Sequence, residues 1–184
     1  CIGLASHVLR MIHGNDMPPE YPGLKKERIA VVCRDESGYA KSPMSIGVAT
    51  TIRSMIAQKL PKATVIPQGE IDRWTLDTTD QNEILREVGS GTKADLVIAV
   101  EISNLKLKDG KTMYRGNCNI DVNAYDVAKG EIVFTKSFDE FVYPQTAAIS
   151  QTEMDEAKFQ RLYMLMVGER VGQLFVPSPI GSDV

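Results

Sequence analysis

The chain has 184 residues, of which 43% are hydrophobic and 24% are charged, the composition of an ordinary globular protein. Its formal net charge of −3 argues against a protein whose main work is binding nucleic acid, which needs a surplus of Lys and Arg. The run of about 18 apolar residues that a membrane-spanning helix requires does not occur in the sequence. The cysteines form no Cys-x-x-Cys pair and have no nearby His in the sequence, so no metal site is predicted.

Proline-rich segments mark both ends of the sequence. Residues 17–23 read Met-Pro-Pro-Glu-Tyr-Pro-Gly and cannot form a helix, because each proline removes a backbone donor and restricts the residue before it. We therefore predict a tether over residues 1–24 and a loose C-terminal tail over residues 177–184. The remaining residues, 25–176, are predicted to form a single globular domain.

The first half of this domain alternates between strands and helices. A β-branched run over residues 28–33 predicts a strand that is buried on both faces. Ser42 and Pro43 predict the start of a helix that ends at Leu60, before Pro61. Residues 63–67 predict a second strand, Asp80 begins a second helix through Val88 that the sequence Gly89-Ser90-Gly91 ends, and residues 94–102 predict a third strand.

The second half is predicted to be a β-hairpin followed by a helix. Small apolar residues alternate with polar ones over residues 117–124, which puts the apolar set on one face of a strand. The sequence of residues 126–130 is typical of a short turn, with Gly130 at a positive φ, so 118–125 should pair antiparallel with 131–138. The inward-facing set is Cys118, Ile120, Val122 and Ala124 on one strand and Ile132, Phe134 and Phe138 on the other.

Three further expectations concern the flanks of this hairpin. A charged loop over residues 106–111 should lead into it, with Asp109-Gly110 as its turn. The parity of the apolar residues changes after Phe138, which predicts a β-bulge near Asp139-Glu140. Ser150 and Glu153 have the spacing of a capping box, so the last helix should begin there and end near Leu174.

The element order is β-α-β-α-β-β-β-α, which predicts a mixed α/β fold, of the α+β kind, with a five-stranded sheet and three covering helices. Short connections and right-handed crossovers favour the sheet order 2-1-3-4-5. Cys33 and Cys118 then lie on strands separated by one neighbour. We expect both to be small buried hydrophobic residues and not a disulfide.

No group of residues in the sequence predicts catalysis. The two His residues, His7 and His13, lie outside the predicted domain, so neither can serve a Ser or Cys nucleophile in its core. The loop before the first helix lacks a glycine-rich phosphate motif, and no cofactor is predicted. A weaker hypothesis is a crevice at the carboxyl ends of the parallel strands, which would bind a small ligand or a partner. Its candidate residues are Arg34, Tyr39, Arg73 and Trp74.

Two motifs resemble a group of bacterial envelope lipoproteins. They are Thr-Lys-Ala-Asp at residues 92–95 and the hairpin sequence Tyr-Asp, then Lys-Gly-Glu-Ile-Val, at residues 125–133. The group includes the lipoprotein activators of penicillin-binding proteins, the curli secretion-channel lipoprotein and the amino-terminal domain of TolB, and the likeness covers about residues 26–175. It implies a TolB N-terminal-domain-like fold and a protein that binds or assembles with other envelope proteins, or with itself, without catalysis. The curli channel's long amphipathic hairpins have no counterpart in residues 103–117, so a pore is not expected.

The first residue of the sequence also carries a resemblance. The sequence opens at Cys1, as mature bacterial lipoproteins do, where this Cys is lipidated. The alternative is that the sequence begins at a cysteine by accident of where it was cut. Ile2, in place of Asp, is similar to the sorting signal of lipoproteins exported to the outer membrane. The resemblance therefore implies a lipid-anchored protein of the outer membrane whose domain faces the periplasm; a periplasmic small-ligand-binding domain is the alternative.

Overall fold

A mixed β-sheet, covered unequally on its two faces, forms the centre of the protein. The computed structural model describes residues 16–24, 27–39, 42–74 and 80–179. The strands are β1 (Asp16–Met17), β2 (Arg28–Asp35), β3 (Gly38–Tyr39), β4 (Thr64–Val65), β5 (Leu96–Asp109), β6 (Met113–Asp126), β7 (Glu131–Tyr143), β8 (Ile149–Ser150) and β9 (Ser178–Pro179). The helices are α1 (Pro43–Lys59), the short α2 (Gln68–Ile71), α3 (Gln81–Thr92) and α4 (Glu156–Gly172).

The order of the main strands across the sheet is β4-β2-β5-β6-β7. β2 lies parallel to β4 and β5, whereas β5, β6 and β7 are successively antiparallel. The predicted fold class and strand order are therefore confirmed. The counts differ slightly, because β3 and β8 add two short strands to the sheet and α2 is a fourth helix.

Helices α1 and α4 cover one face of the sheet and bury the larger core. The alternating set on β6 points into this core as predicted, and Cys118, Ile120, Val122 and Ala124 are all fully buried. α1 and α4 approach each other closely through glycines. A Cβ atom on Gly168 would lie 2.5 Å from the Thr51 side chain, and one on Gly172 would lie 2.4 Å from the sulfur of Met55. Any larger residue at these positions would push the two helices apart.

The opposite face is covered at one end. There α3 packs on β2 and β5 over a smaller core that includes Ala30, Val32, Val97, Ala99 and Tyr125. The side chains that β6 directs toward this face further along the strand are polar and half-buried or exposed: Asn117, Asn119, Asp121 and Asn123. Half of one sheet face is therefore lined by polar groups in place of an apolar layer.

The hairpin of β6 and β7 has the predicted antiparallel pairing and turn. Val122 pairs with Lys136, and Gly130 has a φ of 70°. The predicted bulge is also present, because the register shifts between the Cys118 and Ile120 pairings and Glu140 adopts a φ of 54°. The prediction for Ile132 was wrong. This side chain is 41% exposed, since a second register shift places it opposite Tyr125, on the other face of the sheet.

The prediction that Gly89-Ser90-Gly91 ends the second helix was wrong. α3 continues through these residues to Thr92 and ends with Lys93 in the left-handed conformation. The glycines permit close packing instead. A Cβ atom on Gly89 would lie 2.6 Å from Val127, and one on Gly91 would lie 2.2 Å from the ring of Trp74. Tertiary contact therefore explains these glycines better than a helix stop.

The predicted start of the last helix was wrong as well. Ser150 belongs to β8 and pairs with Met113 of β6, so its backbone is committed to the sheet. α4 begins after Asp155, whose side chain accepts a hydrogen bond of 2.8 Å from the Lys158 amide. Both Ser150 and Asp155 have the chemistry of a helix cap, and the pairing with β6 decides between them.

The turn predicted at Asp109-Gly110 is confirmed, but the charged loop predicted over residues 106–111 is wrong, because strands occupy most of this stretch. β5 continues to Asp109 and β6 begins at Met113, with a tight turn at Gly110, whose φ is 70°. Leu105 and Leu107 pack against the core while their charged neighbours face water. Leu105 and Leu107 alternate with charged residues at the period of a strand. The many lysines in this stretch favoured the prediction of a loop instead.

The described ends of the chain pack against the domain. β1 and β9 pair antiparallel, so part of the predicted tether meets part of the predicted tail. Leu24 is fully buried, and the ring of Tyr21 lies 5.5 Å from that of Phe134 and 6.1 Å from that of Phe175. The described residues 16–24 and 177–179 therefore contribute to the domain's packing.

Cys33 and Cys118 are free, buried thiols on opposite sides of β5, as the strand order implied. Burial raises the pKa of both thiols, to about 11 for Cys118. The hydroxyl of Tyr163 donates to the Phe141 carbonyl at 2.8 Å and lies 3.2 Å from the sulfur of Cys118. These thiols are packing groups and poor nucleophiles.

Candidate functional site: the uncovered face and free edge of the sheet

A row of polar side chains crosses four neighbouring strands on the uncovered part of the sheet. The register aligns Arg34 with Glu101, Glu101 with Asp121, and Asp121 with Ser137. Arg34 and Glu101 form an ion pair with both side chains half-buried. The Ser137 hydroxyl donates a 2.5 Å hydrogen bond to Asp121. The row therefore holds a fixed pattern of charge across the sheet.

Two asparagines extend this polar surface along β6. The Thr135 hydroxyl donates to the Asn123 side-chain oxygen at 2.9 Å, and the Glu140 amide donates to that of Asn119 at 3.1 Å. Each of these bonds uses the amide's oxygen as acceptor. The NH2 groups can then donate to an external partner. A surface of this kind suits a polar polymer or the backbone and side chains of another protein.

β7 forms one edge of the sheet over 13 residues. Within the described ranges, its backbone pairs with β6 on one side and with no strand on the other. Free edges of this length attract extended segments of other chains, and proteins limit this with charges and bulges. β7 carries both devices, since Lys136 pairs with Glu20 at 2.9 Å and a bulge lies at Asp139-Glu140. The edge can therefore accept a strand, but it is protected against indiscriminate pairing.

The residues predicted for a strand-end crevice do not form one cluster. Arg34 is the penultimate residue of β2 and is paired with Glu101. Trp74 is 40% exposed and packs on Gly91 in the last turn of α3, which precedes β5, and Arg73 is exposed beside it. No contact among the described residues joins these two groups. The side chain of Tyr39 and all of Cys1 lie outside the described residues, so their predicted roles stay predictions.

Sequence reasoning missed Glu101 and Ser137. The alternation along β6 identified Asp121 as a water-facing residue, but nothing local in the sequence aligns it with a residue of β5 or β7. The combination of the predicted strand order with an explicit register would have placed these side chains in one row.

Two features are absent from the described part of the chain. It contains no group of three or more His, Cys, Asp or Glu side chains that could hold a metal ion. Its helices also include none that is both long and apolar enough to cross a lipid bilayer.

Comparisons with known proteins give a likeness of fold. No protein-family model matches the sequence, and a search of curated proteins finds no match. A point variant of the PelC dodecamer from Paraburkholderia phytofirmans has a TM-score of 0.50 at 8% identity, over 88% of this chain and 97% of that one. Lipoprotein GNA1162 from Neisseria meningitidis has a TM-score of 0.47 at 12% identity, over 78% of this chain and 97% of that one. The LpoB C-terminal domain from Escherichia coli has a TM-score of 0.44 at 13% identity, over 68% of this chain and 88% of that one.

One of these similar structures is named as a lipoprotein. The predicted resemblance is confirmed at the level of the fold. At these identities the likeness concerns the fold alone. The fold is similar to that of PelC, and in the present chain it is a mixed sheet with two helices packed together on one face.

Proposed function

We propose that this chain is a non-enzymatic lipoprotein of the bacterial outer membrane. Its lipid anchor is Cys1, and its domain faces the periplasm and acts as an assembly component. In this role it binds an envelope protein or further copies of itself. The observation that carries the proposal is the uncovered polar face next to the free edge of β7.

The geometry of this surface favours a protein partner. An extended segment added to β7 would satisfy backbone groups that the described residues leave unpaired, and the polar row beside it would select among partners. The structure named as a PelC dodecamer is an assembly of that protein. Self-association is the corresponding proposal for the present chain. Crosslinking in intact cells, followed by mass spectrometry, reports an envelope partner and self-association together.

The alternative of a small-ligand-binding domain has less support. A strand-end crevice would need Arg34 free to meet a ligand, and this residue is held in an ion pair with Glu101. Trp74 packs on Gly91, away from that strand end. The free edge therefore supports a protein partner better than the crevice supports a small ligand.

The proposed anchor is tested by Cys1→Ser in the precursor. Each acyl methylene buried in a bilayer contributes about 0.8 kcal/mol, so two or three chains outweigh any other contribution of the N-terminal segment. We expect the Ser variant to move from the membrane fraction to the soluble fraction. Its domain should still fold, because Leu24 and Tyr21, which pack against the core, are unchanged.

Cys33→Ala is the matched control, since it also removes a thiol but leaves the proposed lipidation site intact. This control should stay with the membrane. A native form that is soluble, or an intact mass that shows an unmodified Cys1, would remove the anchor and the outer-membrane assignment from the proposal.

A further inference from the structure

Arg115 lines two concave surfaces beside β6. The larger measures about 350 Å³ and lies at the β7 bulge, where Phe138, Asp139, Glu140 and Arg170 are among its lining residues. The smaller measures about 270 Å³ and is lined by Lys106, Lys108, Asp109, Arg115, Asn117 and Val142. Arg115 and Val142 line both, so the guanidinium forms part of the wall between them.

The guanidinium of Arg115 is held in place but incompletely paired. One terminal nitrogen donates to the Gln145 carbonyl at 3.0 Å, which anchors one end of the group. The Nε atom is buried and has no hydrogen-bond partner among the described residues. A buried N–H of a charged group without an acceptor is unfavourable, and such a group calls for an explanation. One explanation is that a bound molecule supplies the missing acceptor.

The charges around the two surfaces differ. The smaller surface is lined by three cationic side chains and one carboxylate. The cations are Lys106, Lys108 and Arg115, and the carboxylate is Asp109. Lys108 also lies 2.8 Å from Glu156, whose hydrogen bond raises the pKa of the Lys108 amine, so this group stays cationic. Lys106 is exposed and forms no ion pair with another described residue.

The larger surface does not suit an anion. Asp139 and Glu140 both line it, and Arg170 lies over the ring of Phe138, 4.8 Å from the ring centroid. The smaller surface therefore keeps a net positive charge, even when Glu156 is counted as the partner of Lys108.

We propose that the smaller surface is an oxyanion-binding site, in which Arg115 and Lys106 hold a carboxylate or phosphate group. A guanidinium presents its N–H groups as a planar fork that matches both of these anions. Because Arg115 Nε is buried, the side chain must shift for a bound oxygen to reach it and supply its missing acceptor. A lysine ammonium at the rim adds a mobile donor that follows the anion as it enters. The site shares Asn117 and Val142 with the end of the proposed partner surface, but anion binding does not depend on the proposed function.

The test uses the Arg Nε–H signals of the ¹⁵N-labelled protein, titrated in separate arms at constant ionic strength. The probes are inorganic phosphate, acetate, and vesicles of phosphatidylglycerol mixed with phosphatidylethanolamine. We expect the Arg115 Nε–H resonance to shift saturably with at least one probe, and the arms show whether the group comes from a free anion, a carboxylate or a lipid headgroup. Arg115→Lys assigns the resonance.

The matched variants are Lys106→Gln and Lys62→Gln, which remove the same charge from exposed side chains inside and outside the site. Lys106→Gln should weaken the binding that Arg115 Nε–H reports by about ten-fold or more, and Lys62→Gln should leave it unchanged. An Arg115 signal that does not respond to any probe overturns the proposal. Equal weakening by the two Gln variants also overturns it, because the response would then be a nonspecific effect of net charge.

Discussion

Replacing Val122 by Asp is expected to lower the free energy of unfolding by about 4–5 kcal/mol. Val122 is fully buried at the centre of β6, where α1 and α4 close the larger core. The cation opposite it, Lys136 of β7, is already paired with Glu20, so the carboxylate must break that pair, be buried unpaired or open the core. Chemical denaturation monitored by circular dichroism measures the change.

Asn123→Asp is the control for this prediction, because it places the same group one residue further along the same strand. Its side chain faces the opposite, polar side of the sheet and already accepts a hydrogen bond from Thr135. A carboxylate can accept this bond as well, so we expect a cost of about 0.5 kcal/mol or less. Equal denaturation midpoints for the two variants would show that the faces of β6 are assigned the wrong way round.

Gly116→Ala is expected to cost about 3 kcal/mol, a large effect for a single methyl group. A Cβ atom at this position would lie 2.2 Å from the ring of Tyr163. The ring cannot move aside easily, because it is fully buried and its hydroxyl donates to the Phe141 carbonyl. Either the ring or β6 must therefore shift, and both are packed on several sides.

Gly69→Ala in α2 is the matched control for Gly116→Ala. No atom lies within 4 Å of the Cβ position there, so the change should be neutral or stabilising by up to about 1 kcal/mol. The two variants are compared by their midpoints in the same denaturant series. A Gly116→Ala protein as stable as the Gly69→Ala protein would mean that Tyr163 does not pack on β6.

The parts of the fold that could be predicted are those whose signals are local. The alternation on β6 and the turn at Gly130 depend on a strand period of two and on one positive φ, and both can be read from a few consecutive residues. The parity change that placed the bulge at Glu140 is equally local. These local features predicted the antiparallel pairing of β6 with β7, and the structure confirms it.

The wrong predictions share a cause, because at those positions distant contacts compete with local chemistry. Ser150 has a capping sequence but is drawn into the sheet by β6, and Gly91 has a terminating sequence but packs under Trp74. The polar row across the sheet depends even more on contacts between residues that are distant in the sequence. Arg34, Glu101 and Ser137 come from separate strands, and only their register brings them together.

Photo-crosslinking in intact cells tests the central claim that the uncovered side of the sheet binds a protein. A photoreactive side chain replaces exposed Ser137, beside the free edge, or exposed Arg86, on the outer side of α3, in the full lipid-anchored protein. We predict that the Ser137 probe gives a discrete adduct, identified by mass spectrometry as an envelope protein or a second copy of this chain, and that the Arg86 probe does not. If neither position gives an adduct, or both give the same one in equal yield, the uncovered face and edge are not the binding surface and the proposed function loses its support.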